Sequence, residues 1–253
     1  MLGMGANKIS GGIIYNRRIT ETSATFAAGD SDYISVANHA DLQIDGEDFS
    51  AAFWIKFTAD ASGTSNLDGI VGIKAGQFRG GGFWFELNDK TGDDQEILFL
   101  TSTAGAKTSI ATTTNIVHNT WYHVAATYDV STTTAKLYLN GALEATDTSM
   151  TAPTAYSNPV GVGTFTPYVS CVVQDVAMWN GVYLDADQIY DLSLRILDPG
   201  QMYPEYLKGW WPLDEDSATG ADNVIDLSNN ARHGTTTNLA DSNFDTADSP
   251  TGL

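Results

Sequence analysis

The stretch Asn119–Leu143, NTWYHVAATYDVSTTTAKLYLNGAL, contains the strand-and-turn pattern that decides the fold class. Near its end, residues 136–139 alternate between the two faces of an extended segment, and Asn140 and Gly141 follow directly. A period of two is typical of a half-buried strand. Asn-Gly favours a two-residue hairpin, because both residues tolerate positive φ. We therefore predict a tight turn at Asn140-Gly141.

The same alternation recurs along the chain. In residues 53–57, FWIKF, the odd positions are apolar and Lys56 is on the opposite face. Short runs rich in β-branched and aromatic residues are separated by Gly, Asn, Asp and Ser clusters, and helix signals are scarce. This pattern is typical of antiparallel strands. The sequence therefore predicts an all-β protein, an antiparallel β-sandwich with one short helix.

The predicted helix follows Asp185, which is a good N-terminal cap. Gln188 completes a capping box, and Ile189 with Leu192 provides an apolar stripe at helical spacing. Pro199 and the glycine after it end anything helical. We expect four segments: an N-terminal arm (1–22), a jelly roll (23–200), a segment that folds back to complete the sandwich (201–236) and a polar acidic tail (237–253).

Charge and composition restrict the partners. The 253 residues include 31 acidic and 12 basic side chains, for a formal charge of −19. This field repels nucleic acids and anionic membranes, so neither is an expected partner. No apolar run is long enough to span a bilayer, the first residues lack the pattern of a signal peptide, and the lone Cys171 has no disulfide partner. We expect a soluble chain that is not exported, with Cys171 packed in the core.

Three segments together resemble the laminin-G-like jelly roll of the concanavalin A-like lectin/glucanase superfamily. They are Phe26–Val36 (FAAGDSDYISV), Asn119–Leu143 and Val173–Leu192, in the order and at the spacing of that family. His123 matches a family position where a packed histidine is structural. Residues 207–215 and 226–234 resemble the segment that usually precedes the opening strand. They either fold back to supply a missing strand or begin a truncated second module, and we favour fold-back because about 50 residues cannot bury a second core.

The resemblance implies a structural Ca²⁺ ion near the opening strand. Asp30 and Asp32, with the carbonyl of Gly29, match the first part of the family's ligand set, and carboxylate and carbonyl oxygens suit Ca²⁺. The remaining ligand position is occupied by the neutral Gln174, whose carbonyl is a weaker ligand, and alternation places Asp175 on the opposite face. Alternatively, Asp30 and Asp32 only organise a turn.

Glycan binding is the ligand chemistry that the resemblance implies. In the glycine-rich loop 76–82, Arg79 is a candidate donor and Phe78 a candidate exposed ring. Trp210 and Trp211 are adjacent, so their rings face opposite ways in an extended strand and one is expected to be exposed. The superfamily's catalytic series Glu-x-Asp-x-x-Glu is missing from the sequence, so we predict no catalytic residues and no enzyme.

The expected function is that of a noncatalytic structural or adhesion protein of a virus particle, either a phage capsid decoration or a fibre-associated protein. The arm would join it to copies of itself or to capsid neighbours, and host or environmental glycans are its candidate ligands. The localisation is then the virion. The alternative is a carbohydrate-binding module of a secreted bacterial protein, located outside the cell.

Overall fold

The computed structural model describes residues 4–8, 14–18, 22–60, 67–74, 80–89, 95–103, 105–163, 168–215, 218–245 and 249–250. Two antiparallel sheets pack face to face. The first has eight strands, namely β3 (Ser23–Phe26), β5 (Phe49–Phe57), β10 (Trp121–Asp129), β11 (Thr134–Leu139), β12 (Ala142–Asp147), β14 (Cys171–Asn180), β15 (Leu207–Trp211) and β17 (Phe244–Asp245). The predicted all-β sandwich is confirmed.

The second sheet has seven strands, in the order β16-β4-β13-β6-β7-β8-β9. They are β4 (Tyr33–Val36), β6 (Leu67–Lys74), β7 (Gly82–Asp89), β8 (Gln95–Thr103), β9 (Ala106–Ala111), β13 (Val160–Val162) and β16 (Gly234–Thr237). A separate two-stranded hairpin joins β1 (Met4–Lys8) to β2 (Ile14–Arg18). In the described part of the chain, no helix is long and apolar enough to cross a lipid bilayer.

The local predictions at the turn and the helix are confirmed. Asn140 and Gly141 have φ of 52° and 79° and join β11 to β12. Helix α1 (Ala186–Ser193) follows Asp185, whose carboxylate accepts from the Gln188 backbone amide while the Gln188 side chain accepts from the Asp185 amide. The Asn-Gly turn and the capping box each depend on residues at most three positions apart, so local side chains determine both features.

The core lies between the sheets. Side chains at alternate positions of β5, such as Phe53, Ile55 and Phe57, are fully buried there, as predicted. Cys171 is also buried in this core and is a free thiol, as expected. Each large apolar side chain in such a position stabilises the fold by about 1.5–3 kcal/mol. The two inner faces therefore supply most of the driving force for folding.

A second, smaller apolar cluster lies on the outer face of the eight-stranded sheet, beneath α1. We call it the outer cluster. It consists of Ala52, Ala125, Tyr138, Ala177, Trp179, Leu184, Ile189, Leu192, Met202, Leu207 and Trp210. Ile189 and Leu192 are the predicted apolar stripe of α1, and the Trp179 indole donates to the Met202 carbonyl at 2.6 Å. The helix thus seals a sheet face that would otherwise expose aromatic rings to water.

Strand β14 contains a bulge that the alternation of the sequence did not reveal. Its register with β5 shifts between Gln174 and Ala177, and Asp175 has a φ of 53°. An extra residue in one strand turns two successive side chains to the same face. Gln174 and Asp175 accordingly both accept a hydrogen bond from Arg195. The predicted opposite orientation of Asp175 is therefore wrong.

The C-terminal part of the chain contributes to both sheets. The first half of β14 pairs with β3, and its second half pairs with β15 along the same edge. In the other sheet, β16 pairs with β4, and β17 pairs with β3 in the first sheet. Residues 207–245 therefore supply three strands to the sandwich. The division of the chain into the four predicted segments stays a prediction.

Candidate functional site

A groove of about 510 Å³ lies at the end of the sandwich where β5 begins and β14 ends. We call it the end groove. Its lining residues are Ala40, Asp41, Gln43, Asp45, Glu47, Ala155, Asn180, Glu205, Tyr206 and Lys208. This volume is within the range of sites that bind small molecules. Three parts of the chain form most of its walls, namely the loop after β4, the end of β14 and the turn before β15, and Ala155 of the loop between β12 and β13 completes them.

Asn180 connects these walls. Its backbone amide donates to the Tyr206 carbonyl at 3.0 Å, and its side-chain nitrogen donates to the carbonyls of Asp41 and Gln43 at 3.2 and 3.1 Å. The side chain is thereby oriented, because only its NH₂ group can donate to two carbonyls. Asn180 is 9% exposed, and its Oδ1 has no hydrogen-bond partner within the described residues. The wall of the groove therefore contains a fixed, buried acceptor without a donor.

One wall of the groove is aromatic. Tyr206 is 38% exposed, and its ring centroid lies 6.4 Å from that of Tyr203 in an edge-to-face arrangement. A Cβ atom at Gly181 would lie 3.0 Å from the Tyr206 ring, so the missing side chain lets the ring pack against the backbone. Gln188 donates to the Tyr203 hydroxyl at 2.8 Å and links this pair to α1. Tyr206 is thus held in place with part of its surface open to solvent.

The groove is acidic. Four carboxylates line it, those of Asp41, Asp45, Glu47 and Glu205. Asp41 forms an ion pair with Arg232, and the Lys208 ammonium donates to the Glu205 carbonyl oxygen at 2.9 Å. The lining therefore contains more anionic groups than cationic ones.

The residues predicted to bind Ca²⁺ do not converge on one point. Asp32 is buried at the end of β3, where its Oδ2 accepts from the Ala27 amide at 3.0 Å, and burial raises its pKa. Gln174 lies at the other end of β3, where its amide nitrogen donates to the Thr22 carbonyl and its oxygen accepts from Arg195. The Gln174 oxygen thus already binds a cation.

The rest of the predicted ligand set is in a turn. Gly29 and Asp30 lie in the 3₁₀ turn Ala28–Asp30, and the Asp30 carbonyl accepts from Asn238 at 3.0 Å. Across the described ranges, no three His, Cys, Asp or Glu side chains are grouped as metal ligands. These four residues therefore do not fit a single calcium site in this arrangement, and calcium binding stays a prediction.

Of the four residues predicted to bind glycans, the structure describes the two tryptophans. Phe78 and Arg79 lie outside the described residues. Trp210 and Trp211 do face opposite ways, but both are buried: Trp210 is 7% exposed in the outer cluster, and Trp211 is 1% exposed in the main core. The predicted exposure of one ring is wrong, because α1 and the turn before β15 cover the outer face of the sheet. Their glycan-binding role stays untested, and an aromatic platform is found at Tyr206 instead.

His123 belongs to a buried polar cluster below α1. Its ring packs edge-to-face on Trp54 at 5.3 Å, and the Arg195 guanidinium lies 5.4 Å from the centre of the Trp54 ring. Burial, with a smaller contribution from Arg195, lowers the pKa of His123 to about 3. The adjoining cavity of about 20 Å³ has room for about one water molecule. The predicted structural role of His123 as a packed residue is confirmed.

A second cleft, of about 380 Å³, lies near the end of β5 and the start of β8. It is lined by Asp60, Gln95, Asn115, Ile116, Val117 and His118. His118 Nε2 lies 3.0 Å from Asp60 Oδ1, and Gln95 also donates to Asp60. This cleft lacks an exposed aromatic ring among its described residues, so we regard the end groove as the better candidate site.

The sequence did not identify the end groove. Asn180, Tyr206 and Asp41 come from segments that only the fold brings together. One signal was present: the loop 41–48, DLQIDGED, has four carboxylates next to a buried strand. Such a loop is usually a solvated surface, and the partners that make it a groove are more than 130 positions away.

Comparisons with known proteins agree with this fold. A laminin G family model, described as concanavalin A-like lectin/glucanases superfamily, matches residues 28–190. A search of curated proteins finds no match. Among solved structures, the chain is similar to a candidate carbohydrate-binding protein of Bacteroides ovatus, with a TM-score of 0.64 and 20% identity over 85% of this chain and 58% of that one. The chain thus spans little more than half of that protein.

The botulinum neurotoxin serotype D binding domain is also similar. Its TM-score is 0.50 at 15% identity, covering 76% of this chain and 44% of that one. At such low identity, both likenesses establish the fold alone, because one fold serves many functions.

Proposed function

Because the chain belongs to the concanavalin A-like lectin/glucanase superfamily, we propose that it is a noncatalytic carbohydrate-binding protein whose ligand occupies the end groove. The observation that carries this proposal is the partly exposed Tyr206 in a groove lined by four carboxylates, with the buried Oδ1 of Asn180, which has no donor within the described residues, in the groove wall. A sugar offers both complements: hydroxyl donors around its rim and an apolar face that stacks on an aromatic ring.

The energetics favour a polar ligand at this site. A buried acceptor left without a donor costs about 1–3 kcal/mol, and a small shift that lets a ligand hydroxyl reach Asn180 Oδ1 would remove that penalty. Sugar hydroxyls can also donate to the carboxylates of Glu47 and Glu205 on the rim of the groove. Because the Asn180 side chain is held by two backbone carbonyls, little ordering of this side chain is needed when the ligand binds.

Binding without catalysis is supported by the contacts that Asp41 and Asp45 make and by the missing catalytic series. A glycosidase places two carboxyl groups on opposite sides of the scissile bond, free to donate and accept protons. In the end groove, Asp41 is bonded to Arg232 and Asp45 accepts from the Ala155 amide at 3.3 Å. The chain also lacks the alternating carboxylate series of the superfamily's glucanases.

The test is a glycan array followed by calorimetry with the variants Tyr206→Ala, Tyr206→Phe and Tyr190→Ala. We expect Tyr206→Ala to weaken binding at least about tenfold, because the stacking surface is lost, and Tyr206→Phe to weaken it less than about threefold. Tyr190 is 51% exposed on α1 and does not line the groove, so Tyr190→Ala is the matched control and should bind normally. An array without any bound glycan, or binding that survives Tyr206→Ala, would refute the proposal.

We also propose that the β1–β2 hairpin joins the protein to a virion, as a capsid decoration or fibre-associated protein that displays this groove. The hairpin forms its own sheet, outside both sheets of the sandwich. Isolated two-stranded hairpins are marginally stable, so a neighbouring chain would stabilise it. The alternative is a carbohydrate-binding module of a secreted bacterial protein, for which the same groove suffices.

Light scattering separates these two roles. The virion role predicts an oligomer for the full chain and a monomer after deletion of residues 1–21, with circular dichroism showing that the sandwich stays folded. A full chain that is monomeric at all concentrations contradicts the assembly role and favours the secreted module.

A further inference from the structure

We infer that the preferred ligand of the end groove is an amino sugar with a free, positively charged amino group, such as an oligomer of glucosamine. This inference rests on the proposed function and specifies its ligand class. It follows from the sign of the charges, the donor and acceptor character of the lining and the position of the aromatic ring.

The charges of the groove favour a cation. Asp41 forms an ion pair with Arg232, and the Lys208 ammonium donates to the backbone carbonyl of Glu205 rather than to a carboxylate. Asp45, Glu47 and Glu205 form no ion pair within the described residues, and Lys208 is the one ammonium group in the lining. The whole chain, groove residues included, has a formal charge of −19. An ammonium group is therefore attracted, whereas a uronate or sulfate group is repelled.

The hydrogen-bond acceptors of the groove lining also favour a protonated amine. Asn180 Oδ1 and the carboxylates can only accept, while the Asn180 NH₂ group is already used by two backbone carbonyls. A protonated amine has three donors and no acceptor, so every polar atom it presents can find a partner here. An N-acetylated amine has one donor, no charge and a carbonyl oxygen that needs a donor, for which the lining offers the Lys208 ammonium, already bonded to the Glu205 carbonyl, and the Tyr206 hydroxyl. The groove should therefore distinguish free from acetylated amino sugars.

The aromatic wall adds a third contribution. An ammonium group over the face of a tyrosine is attracted by the negative potential of the ring. Tyr206 lines the groove together with Glu205 and Asn180, so one ligand can contact the ring and the acceptors at once. A glucosamine unit combines the apolar ring face with the amino group, which a neutral hexose does not.

The experiment is calorimetry with hexamers of glucosamine, N-acetylglucosamine, glucose and galacturonic acid. At about 20 mM salt we expect glucosamine to bind at least about tenfold more tightly than the glucose hexamer, and this advantage should shrink at about 500 mM salt through screening. The galacturonate oligomer should not bind. The double variant Glu47→Gln/Glu205→Gln should weaken glucosamine about fivefold or more and change glucose binding less than about twofold. Asp222→Asn, an exposed acid outside the groove, is the matched control.

Nonspecific attraction to an acidic protein needs its own control. An oligolysine peptide of equal charge should bind weakly and be insensitive to Tyr206→Ala, whereas glucosamine binding should require Tyr206. Oligolysine binding as tightly as glucosamine, or glucosamine binding that survives Tyr206→Ala, overturns the inference. If glucose or galacturonate binds as well as glucosamine, the inference fails and the proposed function stands. If no glycan binds, the proposed function itself fails.

Discussion

Removing the carboxylate of Asp226 should destabilise the protein severely, because this one side chain holds the turn at residues 226–232 and ties it to β15. Its Oδ1 accepts from the amides of Trp210 and Ser228 at 2.9 and 2.8 Å, and its Oδ2 accepts from the Ser228 hydroxyl and the Arg232 amide, both at 2.9 Å. Asp226 is 5% exposed, so water cannot replace it. The carboxylate is therefore the acceptor for three backbone N–H groups.

The expected loss can be worked out from these bonds. Asp226→Ala leaves the buried amides of Trp210 and Ser228 unsatisfied, at about 1–3 kcal/mol each, so we expect a loss of about 4 kcal/mol. Asp226→Asn can keep the Oδ1 bonds but turns an NH₂ group towards the Arg232 amide, and we expect about 2 kcal/mol. Since proteins are stable by about 5–15 kcal/mol in total, the alanine variant should be close to unfolding.

Urea denaturation and thermal melting measure the losses of stability of Asp226→Ala and Asp226→Asn. For a chain of this size, 4 kcal/mol corresponds to a fall of about 8–16 °C in Tm. Asp222→Asn, which alters an exposed carboxylate in the same region, should stay within about 0.5 kcal/mol of the wild type. If Asp226→Ala is no less stable than Asp222→Asn, the assignment of three backbone donors to one buried carboxylate is refuted.

Three further predictions concern ionisable groups. Glu144 accepts from the backbone amides and hydroxyls of Thr113 and Thr114, and these hydrogen bonds lower its pKa. Glu144→Gln should therefore reduce the free energy of unfolding at pH 7 by about 1 kcal/mol, after allowance for the partial exposure of the side chain. In urea melts below about pH 4, this difference should shrink because the carboxylate of the folded chain becomes protonated. A difference independent of pH would contradict this. The pKa of His123 is lowered to about 3 in the fold, so unfolding takes up a proton below about pH 6.5. The free energy of unfolding should therefore fall by about 1 kcal/mol per pH unit towards pH 3. A His123→Gln variant whose stability has the same pH slope would contradict this prediction. Burial raises the pKa of the Cys171 thiol, so iodoacetamide should label it only in denaturant, and rapid labelling of the native protein would show that the thiol is accessible.

Local features of the fold were predictable from the sequence. The turn at Asn140-Gly141 and the capped start of α1 each depend on residues within three positions of one another, so neighbouring side chains determine them. The alternation of β5 also appears in the structure, because one face of this strand packs in the main core.

The features that depend on strand pairing were not predictable. The bulge at Asp175 arises from the register between β14 and β5, and it changes which face each side chain occupies. Trp210 is buried because β15 docks beside β14 under α1, which the local sequence WW does not indicate. The end groove combines the loop after β4 with Asn180 and Tyr206, so it exists only once the sheets have formed.

Because strands near the C-terminus pair with strands near the N-terminus, the sandwich can be completed only after the last strands have been synthesised. Strand β4 lies beside β16, and β3 lies between β14 and β17, so the first strands of the sandwich keep open backbone edges until the last strands are made. During synthesis, the nascent chain therefore presents unpaired edges while most of its core residues are already outside the ribosome. Such edges can pair with other chains. Expression at lower temperature, or with a chaperone that shields these edges, should therefore raise the yield of folded protein more than stabilising substitutions in the core.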